Sequence, residues 1–590
     1  MNCAAVEHHS FDNYCYPIDK DTLIINIRTG KDIRRVTLVW GDPFIGGIMG
    51  GEWNWSGERT DMTDVRELPN HLWWSIAVKP QFKRCRYYFE LDDGGQTLCF
   101  VENGFFTQRD LKKQSFPFVF IFPWMNQADL CTPPVWPEDT VWYQIFPSRF
   151  CRGGGKSDAG AYKEWAPPDK TVTNTERYGG NLQGIIERLD YLAALGITGL
   201  YLNPVNSSPS EHKYDTTDYF EIDRSFGTKD DMKRLVSEAH KRGIRVMLDG
   251  VFNHTGKDFF AWRDVLENRE KSKYASWYIV NNFDFEKSGS KARRGDYYAF
   301  AFADGMPKLN TNNPEVREYL LGVCETWVRE YDIDALRLDV ANELSHVFCR
   351  ELRARMKALK SDFYIVGEIW HNSLPWLRGD EFDAVMNYPL SNAVFDFASS
   401  TETDTRTLER NINYCLTMYY AQTTRIQFNL MDSHDTVRLV TKTDNREKTL
   451  QQLVFLFAMP GSVCLYYGTE VLLEGAHDPD NRRCMPWKEI ESGKYDDRID
   501  FTKKLIALRR THRALQSADV RFVYDGAAKV DSRVVHIRKF APRETADLVF
   551  NFGCEDVAVG GTGGSILMSG SYESGILHTG GFVVTITQLS

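Results

Sequence analysis

The chain has 590 residues, 42% of them hydrophobic and 26% charged. That is too long for one core and ordinary for a globular protein of roughly two to four domains. A formal net charge of −10 argues against nucleic acid or an anionic membrane as the main partner, because both favour basic surfaces.

The N-terminal stretch MNCAAVEHHSFDNYCYPIDKD has no basic segment followed by an apolar core, so no secretory signal is predicted. The longest apolar run, Phe116–Met125, is broken by Pro117 and Pro123 and is too short to span a bilayer. Twelve cysteines lack both paired metal-ligand spacing and a compact disulfide framework. Cys324, Cys349 and Cys464 fall in apolar patterns where Cys acts as a small buried hydrophobe. These features predict a cytoplasmic location. Aromatic residues make up 13% of the chain, which suits large cores and equally suits stacking on flat sugar faces.

Residues 1–125 read as a β-sandwich. Thr22–Ile27, Arg35–Trp40, His71–Val78 and Arg86–Leu91 are rich in β-branched and aromatic residues and are separated by turn signals such as Gly41-Asp42-Pro43. Residues 126–137, ending in Pro133-Pro134-Val135-Trp136-Pro137, read as a linker. Strand–helix alternation begins near 138 and runs to 514. The predicted strands are Thr140–Phe146, Ile197–Asn203, Arg245–Phe252, Ala335–Asp339, Phe363–Ile369, Ala384–Tyr388, Arg425–Leu430 and Ser462–Tyr467. Ile185–Leu195 and Asp230–Lys241 are predicted helices. Eight such strands with intervening helices predict an α/β fold, a (β/α)8 TIM barrel. Residues 255–312, after the third strand, are too long for an ordinary loop and predict an inserted subdomain. Residues 515–590 return to short β runs (Val534–Phe540, Leu548–Phe552, Gly580–Ile586) and predict a C-terminal β-sandwich. Gly153–Gly155 and Gly560–Gly564 read as short flexible spots.

Four apolar runs close on acids: VMLDGVFNH (Val246–His254), ALRLDVANE (Ala335–Glu343), YIVGEIW (Tyr364–Trp370) and FNLMDSHD (Phe428–Asp435). The C-terminal ends of barrel strands are where catalytic groups sit, so the chain reads as an enzyme. Arg337 and Asp339, two apart on a strand, share a face, and a guanidinium there is expected to keep the carboxylate ionised as a nucleophile requires. Glu368 ends the next strand among apolar neighbours and suits a general acid. Retaining glycosidases hold such a pair roughly 5 Å apart. Any one of these acids could instead serve a rim salt bridge; the three together, with Asp435, favour catalysis. His254 and His434 suit donors to sugar hydroxyls. A metal hydrolase site would call for an HxH or clustered His/carboxylate set, and HxH is absent from the sequence.

These blocks resemble the α-amylase superfamily of glycoside hydrolases. The segments Leu338–Glu343, Met306–Asn310, Gly367–Pro389, Lys213–Tyr219 and Arg86–Gly94 resemble its neopullulanase, cyclomaltodextrinase and maltogenic amylase branch. The resemblance implies Asp339 as nucleophile, Glu368 as acid/base and Asp435 as the third acid. It implies substrate contacts from Arg337, His254, His434, Tyr214, Asn342, Glu343, Trp370, Asp478 and Arg482, and a supporting role for Asp249. For Tyr143 and Trp370, packing and cleft lining stand equal. The substrates implied are cyclodextrins, maltooligosaccharides and pullulan, cleaved at α-1,4 bonds with some α-1,6 cleavage or transglycosylation. A homodimer in which the N-terminal domain covers the partner's site is also implied. A starch-degrading α-amylase, a 4-α-glucanotransferase and a non-catalytic glucan-binding protein on the same scaffold remain alternatives. Many members of the superfamily bind calcium in an Asn/Asp-rich loop after the first strand, completed by Gly-Gly-Asp. Here Cys151–Asp158 has one acid and two cations, followed by Gly179-Gly180-Asn181. A weak or absent calcium site, and no metal or cofactor requirement, is expected.

Overall fold

The computed structural model describes residues 1–44, 55, 57–114, 118–154, 162–559, 565–569 and 571–589. Phe116 and Pro117 of the apolar run, Gly155–Asp158 of the loop after the first barrel strand, and Gly560–Gly564 lie outside the described residues. The chain divides into two compact units.

The first unit comprises Met1–Pro133 with Leu374–Gly379 and Glu402–Thr424. Two antiparallel sheets form it. One contains Leu23–Thr29 paired with Leu72–Val78, and the other contains Arg35–Gly41 paired with Cys85–Asp92. Alternation along these strands sends Leu23, Ile25 and Ile27 against Val36, Leu38, Phe89 and Leu91, all buried. The predicted strands are present. The short strands Glu58–Asp61 and Asp64–Glu67 escaped prediction because their polar composition hides the period, and Thr97–Val101, apolar after its first residue, is too short to show one. The helix Thr405–Thr417 belongs to this unit. Glu67 gathers it in, accepting from Arg406 Nη1 at 2.6 Å, Arg410 Nη2 at 2.7 Å and Lys31 Nζ at 2.8 Å. Nearby, Tyr16 stacks on Tyr420 with centroids 4.6 Å apart.

The second unit carries the barrel. Its parallel strands are β1 (Val141–Ile145), β2 (Gly199–Leu202), β3 (Arg245–Gly250), β4 (Ala335–Leu338), β5 (Tyr364–Gly367), β6 (Ala384–Val385), β7 (Phe428–Leu430) and β8 (Ser462–Tyr466). They are ordered β6-β5-β4-β3-β2-β1-β8-β7, and a parallel bridge from Met386 to Phe428 brings the two ends together. All eight predicted strands are found, each shorter than predicted: seven lose C-terminal residues, which bend into loops at the site end of the barrel, whereas β7 loses Arg425–Gln427 at its start. The predicted helix Ile185–Leu195 is two helices, Leu182–Glu187 and Leu189–Leu195, broken where Arg188 leaves helical dihedrals (φ −104°, ψ 3°). The helix Lys229–Lys241 is fixed by a capping box between Thr228 and Asp231, which satisfies two orphan amides.

The barrel interior is a packed core of Trp142, Tyr201, Met247, Tyr364, Phe428 and their neighbours. Trp136, read as linker from its prolines, packs against this core 5.7 Å from Trp142 and 5.6 Å from Tyr364, under the Arg245 guanidinium. Residues 255–312 form short helices, including Phe260–Asn268, joined by isolated bridges. A bridge between His254 and Lys308 returns this segment to the end of β3. The C-terminal residues form a five-stranded and a three-stranded antiparallel sheet. Among the described residues, which include all twelve cysteines, none forms a disulfide, and Cys324, Cys349 and Cys464 are buried. Among the described residues no helix is long and apolar enough to cross a membrane.

Candidate active site

Strand register assembles the acids. Asp249 on β3 lies opposite Arg337 on β4, and Leu338 lies opposite Gly367 on β5. The ladder continues one residue further, with Asp339 N donating to Gly250 O and Glu368 N to Leu338 O, so Asp339 and Glu368 emerge side by side. Arg337, 1% exposed, sits beneath them. Its Nη1 donates to Asp249 Oδ1 at 2.8 Å and Asp339 Oδ1 at 2.9 Å, and its Nη2 lies 2.8 Å from Glu368 Oε2. Asp249 also accepts from Tyr201 and Tyr214 hydroxyls at 2.8 and 2.9 Å.

One guanidinium therefore serves three carboxylates. Burial, which alone would weaken it as a cation, is outweighed by Asp249 and Glu368, so Arg337 is held well above its ordinary value. The expectation that it would simply keep Asp339 ionised is corrected: burial, with the negative charges of Glu368, Asp249 and Asp435, raises Asp339 well above the ordinary carboxylate range despite Arg337. Burial and then Glu368 push Asp435 up to about 7. About a third (32%) of the Asp435 side chain still meets solvent, and water screens part of that rise.

Above the acids opens a pocket of about 460 Å³. Asp339, Glu368, Asp435, His254, His434, Tyr214, Asn342, Trp370, Asp478 and Arg482 all line it. His254 is pushed down to about 3 by burial, so it is neutral, and its Nε2 is buried without a hydrogen-bond partner. His434 is likewise lowered by burial. Gln144 donates to its Nδ1 at 2.7 Å, which leaves the proton on Nε2, 3.1 Å from Asp435 and 2.5 Å from the Tyr214 hydroxyl. The Tyr214 ring lies parallel to His434. Trp370 stacks on Tyr388 with centroids 3.5 Å apart and donates Nε1–H to Glu368 Oε1 at 3.1 Å. Arg482 pairs with Asp478 at 2.8 Å and approaches Asp435 at 3.6 Å.

Four of the residues named from the sequence do not line the pocket. Arg337 acts from below, together with its partner Asp249. Glu343 is turned away by the short helix Ala341–Glu343 and pairs with Lys308 at 2.9 Å. Tyr143 is buried and donates to Glu470 at 2.6 Å. The pocket adds His212, Phe300, Met306 and Val340. His212 and Met306 border or open motifs already singled out. Phe300, stacked on His254 at 5.1 Å, had only the local aromatic run Tyr297-Tyr298-Ala299-Phe300 as a signal.

The described residues do not fit a calcium ion after β1. The Arg152 guanidinium occupies that loop, donating to Lys163 O at 2.6 Å and Tyr178 O at 2.8 Å. The Asn181 carboxamide oxygen is taken by Gly153 N and Gly184 N. Among the described residues no group of three or more His, Cys, Asp and Glu is disposed to hold a metal.

A family model for the α-amylase catalytic domain matches residues 144–519, and one for the α-amylase N-terminal Ig-like domain matches residues 1–126. The chain belongs to the α-amylase family. The enzyme is thus a glycoside hydrolase. It is 42% identical to a cyclomaltodextrinase of Geobacillus thermopakistaniensis, over 93% of this chain and 91% of that one. It is 39% identical to neopullulanase 2 of Thermoactinomyces vulgaris, over 88% and 86%. A solved cyclomaltodextrinase superposes with a TM-score of 0.87 at 36% identity, covering 100% of this enzyme and 98% of that chain.

Proposed function

We propose that the enzyme hydrolyses α-1,4-glucosidic bonds in cyclodextrins, maltooligosaccharides and pullulan with retention of configuration. The observation that carries this is the shared Arg337 contact, which keeps the Asp339 and Glu368 carboxyls adjacent at the pocket floor. In the first step Glu368 gives its proton to the glycosidic oxygen as the C1–O bond breaks. Asp339 Oδ attacks C1 and forms the glycosyl ester. In the second step Glu368 takes a proton from water, whose oxygen bonds to C1 and releases Asp339. His254, His434 and Asp435 hold hydroxyls of the same sugar, Tyr214 stacks on it, and Asn342 faces the leaving-group side, where Glu343 is instead engaged by Lys308. The names borne by the relatives support the substrate class.

In this reading the chemistry needs no metal or cofactor, so Tm and activity are unchanged by a chelator or by added calcium. The enzyme acts in the cytoplasm as a homodimer. Initial rates on β-cyclodextrin, pullulan and soluble starch, with NMR of the first anomer released, test the proposal. Preference for starch would favour an ordinary α-amylase. Products longer than the substrate would favour a glucanotransferase. Full activity in Glu368→Gln would refute the mechanism, and binding without turnover in the parent would make the protein a glucan-binding module.

A further inference from the structure

Val340, directly after Asp339, has φ 44° and ψ 46°. A β-branched residue in the left-handed region is a true outlier, held only where the surroundings over-determine it. Here the surroundings are Glu368. Its main chain is gripped from both sides by the segment that turns at Val340: Glu368 N donates to Leu338 O at 2.9 Å, and Ala341 N donates to Glu368 O at 3.1 Å. The Val340 N–H between those two anchors goes to the Glu368 side chain instead, reaching Oε2 at 3.0 Å.

An ionised carboxylate offers about four acceptor sites, two on each oxygen. Oε2 faces the Val340 N–H and the Arg337 Nη2 cation at 2.8 Å, and only the N–H is directed as a hydrogen bond. Oε1 accepts the Trp370 indole N–H at 3.1 Å and faces no second donor among the described residues, and the Glu368 side chain lines the pocket. On Oε2 both sites face positive groups, a donor and a guanidinium, so a proton there would oppose one of them. On Oε1 one site accepts from Trp370 and the other is left for a proton.

We propose that the left-handed turn at Val340 is a positioning device whose backbone N–H fixes Oε2 of Glu368, so that the transferable proton is carried by Oε1. This rests on the acid/base assignment of Glu368. Val340 acts through Glu368 and is a positioning residue.

The test replaces Val340 by its α-hydroxy acid through nonsense suppression, which exchanges the N–H for an ester oxygen and keeps the side chain. A hydrogen bond to a charged group is worth enough that kcat on maltooligosaccharides should fall about 10–100-fold. The basic limb of kcat/KM should move to higher pH, because a donor to the ionised form is lost. Turnover of 4-nitrophenyl α-maltoside, whose leaving group needs little protonation, should fall less than about threefold by the same reasoning. An equal fall on both substrates with an unmoved limb, or no fall at all, overturns the proposal. Val340→Gly keeps the N–H and adopts the turn without strain, so its limb should stay in place; a shift as large as the ester's would exonerate the N–H. Neutron diffraction of the unaltered enzyme is the direct measurement: a deuteron on Oε1 is expected, and one on Oε2 overturns the idea. Glu368→Gln assayed in parallel separates the two levels. If it retains activity the acid/base assignment fails, and if it is inactive while the ester matches the parent, only the role of the turn fails.

Discussion

Arg337→Met removes the cation shared by Asp249, Asp339 and Glu368. At an effective dielectric constant near 20, each contact with charge centres about 4 Å apart is worth about 4 kcal/mol, or about 12 kcal/mol gross for three. The cost of burying the guanidinium is recovered and the carboxyls take up protons, so the net loss should be about 3–5 kcal/mol at pH 8. The sign with pH follows from Asp249 and Asp339, which burial holds above the ordinary carboxylate range. Without Arg337 the folded state holds its protons to still higher pH than the unfolded chain does. Stability is then undiminished below the unfolded value near 4 and falls as pH rises through the folded values. Thermal unfolding followed by near-UV circular dichroism should show Tm lowered by about 5–10 °C at pH 8 and by much less at pH 4.5. Turnover should drop about 10²–10³-fold, the scale for losing one preorganised electrostatic group. An equal Tm loss at both pH values would mean that Arg337 acts by packing, and the charge argument would fail.

The acid limb of kcat/KM should lie above pH 4, where an ordinary aspartate titrates, because burial raises Asp339; a midpoint at or below 4 would contradict this. His254 is neutral across the working range. His254→Asn should therefore raise KM about tenfold, the value of one hydrogen bond, and leave both pH limbs in place, whereas a moved limb would make it a titrating catalyst. Trp370→Phe keeps the stack on Tyr388 and loses the indole N–H to Glu368. It should lower kcat more than it raises KM, and steady-state kinetics on maltotriose would expose the reverse. Glu67→Ala should speed hydrogen exchange across Thr405–Thr417 about tenfold or more, from the loss of charge-assisted bonds; unchanged exchange there would show that the helix is held by its apolar face.

The barrel and its acids were readable because parallel strands buried on both faces appear as short apolar runs, and an acid closing such a run has few other reasons to be there. The ends of the strands were not readable. Phe363 and Ile369 are as apolar as the strand they flank, and only the ladder reveals that pairing stops at Tyr364 and Gly367. Loop residues such as Phe300 and His212 follow no period, so their convergence on the pocket is set by tertiary folding. The electrostatics were legible in kind but not in sign. Pairing Arg337 with Asp339 was correct, but the sequence could not reveal that Asp249 and Glu368 draw on the same guanidinium. Trp136 misled because prolines around it suggest a linker while its indole completes a core.

The helix Thr405–Thr417 lies, by sequence, within the stretch matched to the catalytic domain, and by packing it belongs with the N-terminal sandwich. The N-terminal module is thus discontinuous in sequence, and no single cut in the gene can follow it. A truncation at Pro133 would strip Arg406 and Arg410 of the Glu67 carboxylate that gathers them. A transplant of residues 1–126 onto another scaffold would carry that carboxylate away from its cations on the helix. A graft that keeps these ion pairs has to take the helix along with the sandwich.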